Sequence, residues 1–295
     1  MADCALRTPD ESFADLPDFP FAPHYLDDLP GFEGVRIPSL DEGPRGAERT
    51  FLCLHGQPTW SYLYRRMIPI FAGAGHRVVA PDLLGFGRSD KPEADATYTF
   101  EFHRRFLLAF LTRIEGPITL VCQDWGGILG LTLPMETPRI DRLLVMNTAL
   151  ATGAAPGEGF LHWRDYVAKN PDFQISRLMR RSCPHLSEAE AAAYDAPFPD
   201  ASYRAGVRRF PALVPISPEM PGAETGQQAR RFFREGWQGK AFVAIGEADP
   251  VLGPGVMEPL AQLLGVAEPM RLPEGGHFLQ EWGEEIATRA LTALG

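Results

Sequence analysis

The segment Ile118-Thr-Leu-Val-Cys-Gln-Asp-Trp-Gly-Gly127 decides how this chain is interpreted. A strand-like apolar run, residues 118–121, leads into it, and a helix-like run, residues 128–133, follows it. This is the pattern of a nucleophile elbow, a sharp strand-to-helix turn that lifts one side chain above a sheet. The usual pattern is G-x-S-x-G, but here Asp124 holds the nucleophile position and Cys122 replaces the first glycine.

An aspartate at this position predicts a different chemistry from that of a serine. A serine that attacked a saturated carbon would form an ether, which water does not readily cleave. An aspartate forms an ester, which an activated water can hydrolyse. The sequence therefore predicts an enzyme that displaces a leaving group from a saturated carbon and then regenerates itself.

Composition limits the class of protein. The 295 residues are 45% hydrophobic, which is enough for one large α/β domain or for one domain with an insertion. The net charge of −10 and the absence of a basic tract argue against nucleic acid or an anionic membrane as a partner. The N-terminal residues show no signal-peptide pattern, and no apolar run approaches the roughly 18 residues of a membrane span. We interpret the scattered cysteines as buried free thiols of a cytoplasmic monomer; they are Cys4, Cys53, Cys122 and Cys183.

Strand-like apolar runs alternate with helical patterns along most of the chain. The strand-like runs cover residues 50–54, 77–80, 118–121, 142–146, 241–245 and 269–272. The helical patterns cover about residues 61–74, 99–114, 128–133 and 280–294. This alternation predicts an α/β fold with a mostly parallel sheet and helices on both faces, and functional groups at the carboxyl ends of the strands.

Residues 151–221 interrupt the alternation. They contain helical patterns and Pro-rich joints but no strong strand, and Ser187-Glu-Ala-Glu190 matches a capping box that predicts the start of a helix. We interpret this segment as a helical cap inserted over the strand ends. Residues 1–150 and 222–295 then form the core domain.

An aspartyl nucleophile needs a base to activate water and an acid to orient that base. Asp249 follows a late strand-like run, and His277 follows the last one, in Glu274-Gly-Gly-His-Phe278. The order nucleophile, acid, histidine is that of α/β-hydrolases. Glu247 is an alternative acid, but Asp249 is preferred because it lies in the loop before Pro250.

The loop His55-Gly-Gln-Pro-Thr-Trp60 follows the first strong strand, where α/β-hydrolases place one amide of the oxyanion hole. We predict that the backbone N–H groups of Gln57 and Trp125 hold the carbonyl oxygen of Asp124 when water attacks the ester. The Gln57 side chain is also a candidate for positioning that water.

No motif in the chain indicates a cofactor or a metal. Gly85-Phe-Gly-Arg-Ser89 resembles part of a dinucleotide fingerprint, but it lacks a third glycine and the acidic partner about 20 residues further on. The histidines show no metal-ligand spacing such as H-E-x-x-H. We therefore interpret residues 85–89 as a structural loop and predict that the protein uses no cofactor and no metal.

Nearly from end to end, the chain resembles a haloalkane dehalogenase. The similarity is densest in His55-Gly-Gln-Pro-Thr-Trp-Ser-Tyr-Leu-Tyr64, Ala80-Pro-Asp-Leu-Leu-Gly-Phe-Gly-Arg-Ser-Asp-Lys-Pro92, Gln123-Asp-Trp-Gly-Gly127 and Gly276-His-Phe278. It is greatest to the subfamily whose catalytic acid follows a late strand, as Asp249 does. The other main subfamily has a glutamate after the strand before the cap, where this chain has Asn147. The resemblance implies an α/β-hydrolase fold and a two-step, metal-free hydrolysis of haloalkanes by water to alcohol, halide and a proton, with a role in detoxification.

The resemblance also implies two indole N–H donors for the leaving halide. Trp125 matches the first, and Trp163, in Gly159-Phe-Leu-His-Trp163, matches the second. A halide is large and diffuse and suits donors without acceptors, and tryptophan is donor-only. Charge that develops on the halide would be stabilised mainly in the transition state. The alternative role for Trp163 is an aromatic in the core of the cap.

Other activities remain as alternatives at this point. An epoxide hydrolase uses the same fold and nucleophile, and Trp125 does not distinguish it; it would need tyrosine donors, for which Tyr166, Tyr194 and Tyr203 are available. Gln123 and Trp163 favour the dehalogenase. A fluoroacetate dehalogenase would carry arginine after the nucleophile, and Trp125 at that position disfavours this activity. A non-catalytic small-molecule receptor on the same fold is disfavoured by the set Asp124, Asp249 and His277.

Overall fold

The computed structural model describes residues 5–295, so Cys4 and the start of the segment searched for a signal peptide lie outside it. The strands are β1 (Ala5–Leu6), β2 (His24–Leu26), β3 (Ile37–Glu42), β4 (Thr50–Leu54), β5 (Arg77–Pro81), β6 (Lys91–Pro92), β7 (Ile118–Gln123), β8 (Ile140–Met146), β9 (Lys240–Gly246) and β10 (Met270–Leu272). The α-helices are α1 (Ile68–Gly73), α2 (Phe100–Leu111), α3 (Trp125–Gly130), α4 (Glu158–Lys169), α5 (Ile175–Ser182), α6 (Glu188–Ala192), α7 (Ala205–Leu213), α8 (Ala223–Glu235), α9 (Pro254–Leu263) and α10 (Gly283–Leu294). Short 3₁₀-helices cover Asp10–Phe13, Ser61–Tyr64, Asp95–Thr97, Ala201–Arg204 and Leu279–Trp282.

One eight-stranded sheet forms the centre of the fold, in the order β10-β9-β8-β7-β4-β5-β3-β2. The strands from β10 to β5 in this order pair in parallel, and β3 and β2 add an antiparallel edge. Leu120 and Val121 of β7 belong to different buried clusters, because successive side chains of a strand point to opposite faces. The first cluster includes residues of α2 and α3, and the second includes residues of α1 and α10. The predicted mostly parallel sheet with helices on both faces is confirmed.

The strand order places a topological switch point between β4 and β7. From β4 the chain continues to β5 on one side, and it later returns to β7 on the other side of β4. Ligand sites of parallel sheets lie at such points, outside the carboxyl ends of the strands. Gln57 and Asp124 follow β4 and β7, so both lie at this edge of the sheet.

Two predicted helices differ in detail from those observed. The pattern over residues 61–74 forms the 3₁₀-helix Ser61–Tyr64 and then α1, which starts with Pro69 in its first turn. Proline has no N–H to donate to the carbonyl four residues earlier and is favoured in the first turn of a helix, so the start of a new helix at this position is expected. The pattern over residues 280–294 likewise divides into Leu279–Trp282 and α10.

Between β8 and β9 the described chain contains helices and no strand. Ser187 caps α6 as predicted: its Oγ accepts from the Glu190 N–H at 3.2 Å, and the Glu190 carboxylate accepts from the Ser187 N–H at 2.9 Å. The sequence did not predict α4, α7 or α8. Residues 151–221 as a separate cap remain a prediction.

A buried ion-pair network joins this helical segment to the rest of the protein. The Arg65 guanidinium donates to both carboxylate oxygens of Glu281, at 2.7 and 2.8 Å, and to Glu190 of α6 at 3.0 Å. Arg66 also contacts both carboxylates, and the Tyr194 hydroxyl donates to Glu281. Glu281 lies four residues after His277, so the network connects α6 to the segment that carries this histidine.

No helix within residues 5–295 is both long and apolar enough to cross a lipid bilayer.

Candidate active site

Asp124 lies at the turn between β7 and α3 with φ of 50° and ψ of −125°. A non-glycine residue at such a φ is strained by about 1–3 kcal/mol and persists only where its surroundings enforce it. Here neighbouring atoms fill the space on both sides of the turn. A Cβ on Gly126 would overlap the Leu54 carbonyl, and one on Gly127 would overlap the Thr148 side chain. The two glycines therefore allow the turn to pack directly against the strand ends.

Hydrogen bonds fix the backbone of the turn. The Asp124 N–H donates to the Asn147 carbonyl at 3.0 Å, and the Thr148 hydroxyl donates to the Asp124 carbonyl at 2.6 Å. The N–H groups of Gly127 and Ile128 also donate to that carbonyl, both at 2.9 Å. The Asp124 side chain therefore projects from a fixed backbone.

One carboxylate oxygen of Asp124 is held by the loop after β4. The Gln57 N–H donates to Asp124 Oδ1 at 2.7 Å. A Cβ on Gly56 would overlap the Asp124 carboxylate, so only glycine permits this approach. The Trp125 N–H starts α3 and has no acceptor within its own helix. The Gln57 side chain donates to the Val207 carbonyl of α7 at 3.0 Å.

The loop that carries Gln57 is supported by buried polar groups. His55 Nε2 accepts from the Leu83 N–H at 2.9 Å, and burial lowers the pKa of His55, which favours the neutral ring. The Asp82 carboxylate accepts from the N–H groups of Ser61 and Arg88, both at 2.8 Å. The Asp82–Ser89 segment is thus tied to the loop after β4, consistent with the interpretation of residues 85–89 as a structural loop.

The other oxygen of Asp124 faces a histidine. His277 Nε2 lies 3.6 Å from Asp124 Oδ2, and His277 Nδ1 lies 2.8 Å from Asp249 Oδ2. The alternative acid, Glu247, instead pairs with Arg271 at 2.9 Å. Of the two candidate acids, the structure therefore places Asp249 beside the histidine.

Asn147 is a site residue that the sequence analysis noted only for its missing carboxylate. Its Nδ2 donates to Asp249 Oδ2 at 2.9 Å, and its Oδ1 accepts from the Gly246 N–H at 2.9 Å. The Val251 N–H donates to Asp249 Oδ1 at 2.8 Å. The sequence offered one indication of this role, which is that Asn147 directly follows β8. In the sheet, β8 lies between β7, which precedes Asp124, and β9, which precedes Asp249.

The charges of the site act mainly on the histidine. Burial alone would lower the pKa of His277, but the carboxylates of Asp249 and Asp124 outweigh it and raise this pKa to about 10. Burial would raise the pKa of Asp249, but the neighbouring His277 and the Val251 and Asn147 donors lower it. In the free protein these charges therefore favour an imidazolium between the two carboxylates.

The two candidate halide donors lie in different environments. Trp125 is buried, with its ring centroid 4.7 Å from that of Phe210. Trp163 of α4 is half-buried between Tyr166 and Phe173, at centroid distances of 5.9 and 5.4 Å. Neither indole N–H donates to a protein group within residues 5–295, and the same holds for the buried Nε1 of Trp237.

Within residues 5–295, no group of three or more His, Cys, Asp or Glu side chains is arranged to hold a metal ion.

The fold and this site define an α/β-hydrolase with an aspartate at the nucleophile elbow. The family model for the α/β-hydrolase fold matches residues 49–284. A haloalkane dehalogenase from Psychrobacter cryohalolentis is 44% identical over 96% of this chain and 95% of its own length. One from Mycolicibacterium paratuberculosis is 40% identical over 97% of each chain. The haloalkane dehalogenase DpaA from Paraglaciecola agarilytica NO2, a structure described as tetrameric, superimposes with a TM-score of 0.96 at 47% identity over 98% of each chain.

The chain belongs to the haloalkane dehalogenase family. It is a hydrolase that acts on carbon–halide bonds.

Proposed function

We propose that Asp124, His277 and Asp249 carry out the dehalogenation of a terminal haloalkane in two steps. The observation that carries this proposal is the unequal environment of the two Asp124 carboxylate oxygens. Oδ1 accepts the Gln57 N–H, whereas Oδ2 faces His277. Oδ2 is the attacking atom: it forms a bond to the substrate carbon, and the carbon–halogen bond breaks with its electron pair leaving on the halide.

In the second step, water hydrolyses the ester. His277 Nε2 takes a proton from water as the oxygen attacks the Asp124 carboxyl carbon. The negative charge that develops on Oδ1 is stabilised by the N–H groups of Gln57 and Trp125. Collapse of this intermediate breaks the bond to the alkyl oxygen, which takes the remaining proton of the attacking water and leaves as the alcohol. Asp124 is then again a carboxylate, and His277 keeps the first proton. Asp249 fixes the ring orientation of His277 and stabilises its positive charge.

The leaving halide is bound by the indole N–H groups of Trp125 and Trp163. Neither has a protein acceptor within residues 5–295. Among the other indoles of the described chain, Trp60 Nε1 donates to the Ala193 carbonyl at 3.1 Å, whereas Trp237 Nε1 is buried without a partner before the start of β9, away from the carboxyl ends of the strands. An N–H donor without a protein partner suits an anion whose charge appears only as the reaction proceeds.

An epoxide hydrolase would need tyrosines as acid donors, and Tyr194 is already engaged by another group. The Tyr194 hydroxyl donates to the buried Glu281, where Arg65 also binds. Tyr166 is 46% exposed and stacks on Trp163.

The cellular context is also a proposal. We infer a cytoplasmic enzyme of haloalkane detoxification. We expected a monomer from the sequence, whereas the similar DpaA structure is described as tetrameric. Light scattering of the purified protein distinguishes the two states.

Halide release is the direct test. The purified protein is assayed for bromide with a panel of terminal bromoalkanes, beside a panel of epoxides for diol formation and with EDTA throughout. We expect bromide and alcohol from the bromoalkanes and no diol. Diol without bromide, or activity that EDTA removes and a metal restores, would contradict the proposal.

A further inference from the structure

The turn that carries His277 crosses the carboxyl ends of three neighbouring strands. It starts after β10 at the edge of the sheet, whereas Asp124 follows β7, three strand spacings or about 14 Å away. The backbone carbonyls of residues 275, 276 and 277 accept, in that order, from the Ala248 N–H at 3.0 Å, Asn147 Nδ2 at 3.4 Å and Gln123 Nε2 at 3.0 Å. These donors lie just after β9, just after β8 and at the end of β7. Each strand end therefore holds one carbonyl of the turn.

Close packing fixes the height of the turn above the sheet. A Cβ on Gly246, the last residue of β9, would overlap the Gly276 carbonyl. A Cβ on Gly276 would lie 2.8 Å from the Ser182 carbonyl at the end of α5. The turn is therefore enclosed between β9 and α5. The hydrogen bonds along the turn determine how far it extends towards β7.

Gln123 makes the last of these hydrogen bonds. Its side chain is fully buried, and Nε2 donates to the His277 carbonyl. Its Oε1 is buried and has no partner within the described chain. The contact with His277 is thus the one hydrogen bond that the described residues give this side-chain amide, and it links the residue before the nucleophile to the base.

We propose that Gln123 is a positioning residue that holds His277 Nε2 at its place beside Asp124 and so sets the rate of ester hydrolysis. This inference rests on the proposed function. Alkylation needs only the ionised Asp124 carboxylate, whereas hydrolysis needs His277 within reach of a water that faces the ester. Loss of the Gln123 contact therefore slows the second step and leaves the first unchanged.

Gln123→Met tests this proposal, because methionine is of similar size and has no N–H donor. Thr119→Val is the matched control: Thr119 lies on the same strand, is fully buried, and its hydroxyl has no partner within residues 5–295. With enzyme in excess over 1-bromobutane, rapid quenching gives the rate of bromide release. With substrate in excess, turnover is measured per alkylatable site, so that unfolded protein does not count.

We expect Gln123→Met to release the first bromide at the wild-type rate, to turn over about 10- to 100-fold more slowly, and to accumulate the alkyl ester. Thr119→Val should match the wild type in both measurements. Equal slowing of bromide release and turnover, or unchanged turnover per site, would overturn the proposal. A wild-type protein that releases no bromide would instead refute the proposed function.

Gln123→Glu is a second variant, and its turnover should depend on pH differently from that of the wild type. Its carboxylate would face the His277 carbonyl oxygen and repel the turn, whereas the protonated acid could donate to the same oxygen. We expect the turnover of this variant, relative to the wild type at the same pH, to rise as the pH is lowered. A ratio that does not change with pH, together with wild-type turnover in Gln123→Met, would exclude a positioning role.

Discussion

His277 Nε2 lies 3.6 Å from Oδ2 of Asp124, close to the carboxylate oxygen that the oxyanion-hole amide does not hold. This distance is longer than a hydrogen bond. In the proposed mechanism it places the imidazole beside the ester oxygen that alkylation would create. The geometry therefore supports separate roles for the two residues, one for each proposed step.

Trp163→Phe tests the proposed halide site. The variant keeps an aromatic ring between Tyr166 and Phe173 but removes the indole donor. Loss of one preorganised donor lowers rates by about 10²–10³-fold, and a halide, as a weaker acceptor, should show the lower part of this range. Bromide release is measured together with quenching of tryptophan fluorescence by halide. Wild-type turnover with wild-type quenching would assign Trp163 to packing alone.

The raised pKa of His277 predicts a proton burst. With a pKa of about 10, the ring is protonated in the free protein at pH 8. Alkylation turns Asp124 into a neutral ester and removes one of the two carboxylates that raise this pKa, so the pKa falls and a proton is released with the halide. Turnover should decline at low pH, where the ring of the alkylated protein stays protonated.

A pH indicator in stopped flow measures this burst. Its rate in the wild type should match that of bromide release at pH 8. His277→Gln serves as the control and should release bromide without a proton. A wild-type bromide burst without a proton would show that His277 is already neutral in the free protein.

Asp249→Asn should slow ester hydrolysis strongly, since His277 loses both its charge partner and the acceptor that fixes its ring. In a serine-protease triad the corresponding change lowers turnover by about 10⁴-fold. Glu247→Gln is the matched control, because that carboxylate pairs with Arg271 and not with His277. The rate of steady-state bromide release distinguishes the two variants. A larger effect of Glu247→Gln would show that the acid has been misassigned.

The buried ion-pair network predicts a stability effect. Glu281→Gln leaves the Arg65 guanidinium buried with Glu190 as its remaining carboxylate partner, so we expect a loss of stability smaller than the cost of about 3–5 kcal/mol for a buried charge without any partner. Glu188→Gln removes only an exposed pair with Arg180 and should change stability little. Urea unfolding compares the two variants with the wild type. Similar midpoints for all three would contradict a stabilising role for the network.

The central strands could be predicted because they are continuous apolar runs whose side chains are buried on both faces, as residues 118–121 and 243–245 are. The antiparallel edge of the sheet, formed by β3 and β2, could not be predicted, whereas β10 at the other edge was predicted as residues 269–272. β2 is His24-Tyr-Leu26, short and largely exposed, and only pairing with β3 identifies it. Helix α4 has a single fully buried residue, Val167, so its sequence carries a weak apolar pattern.

The candidate site was predictable to a similar degree. Asp124, Asp249 and His277 each follow a strand, and the order of the strands brings them together. The contacts of Asn147 and Gln123 depend on the path of the turn before His277 across the strand ends. That path requires knowledge of which strands are neighbours, which local sequence does not contain.

Intact-protein mass spectrometry of His277→Gln after mixing with 1-bromobutane tests the central claim most directly. A carboxylate is ionised at neutral pH, so Asp124 should be alkylated without the histidine, while the ester should persist without a base. The account predicts about one equivalent of bromide, then arrest, with a butyl adduct on the peptide that contains Asp124. Asp124→Asn should give neither a rapid bromide burst nor an adduct. Multiple turnovers by His277→Gln, or an adduct on another residue, would contradict it.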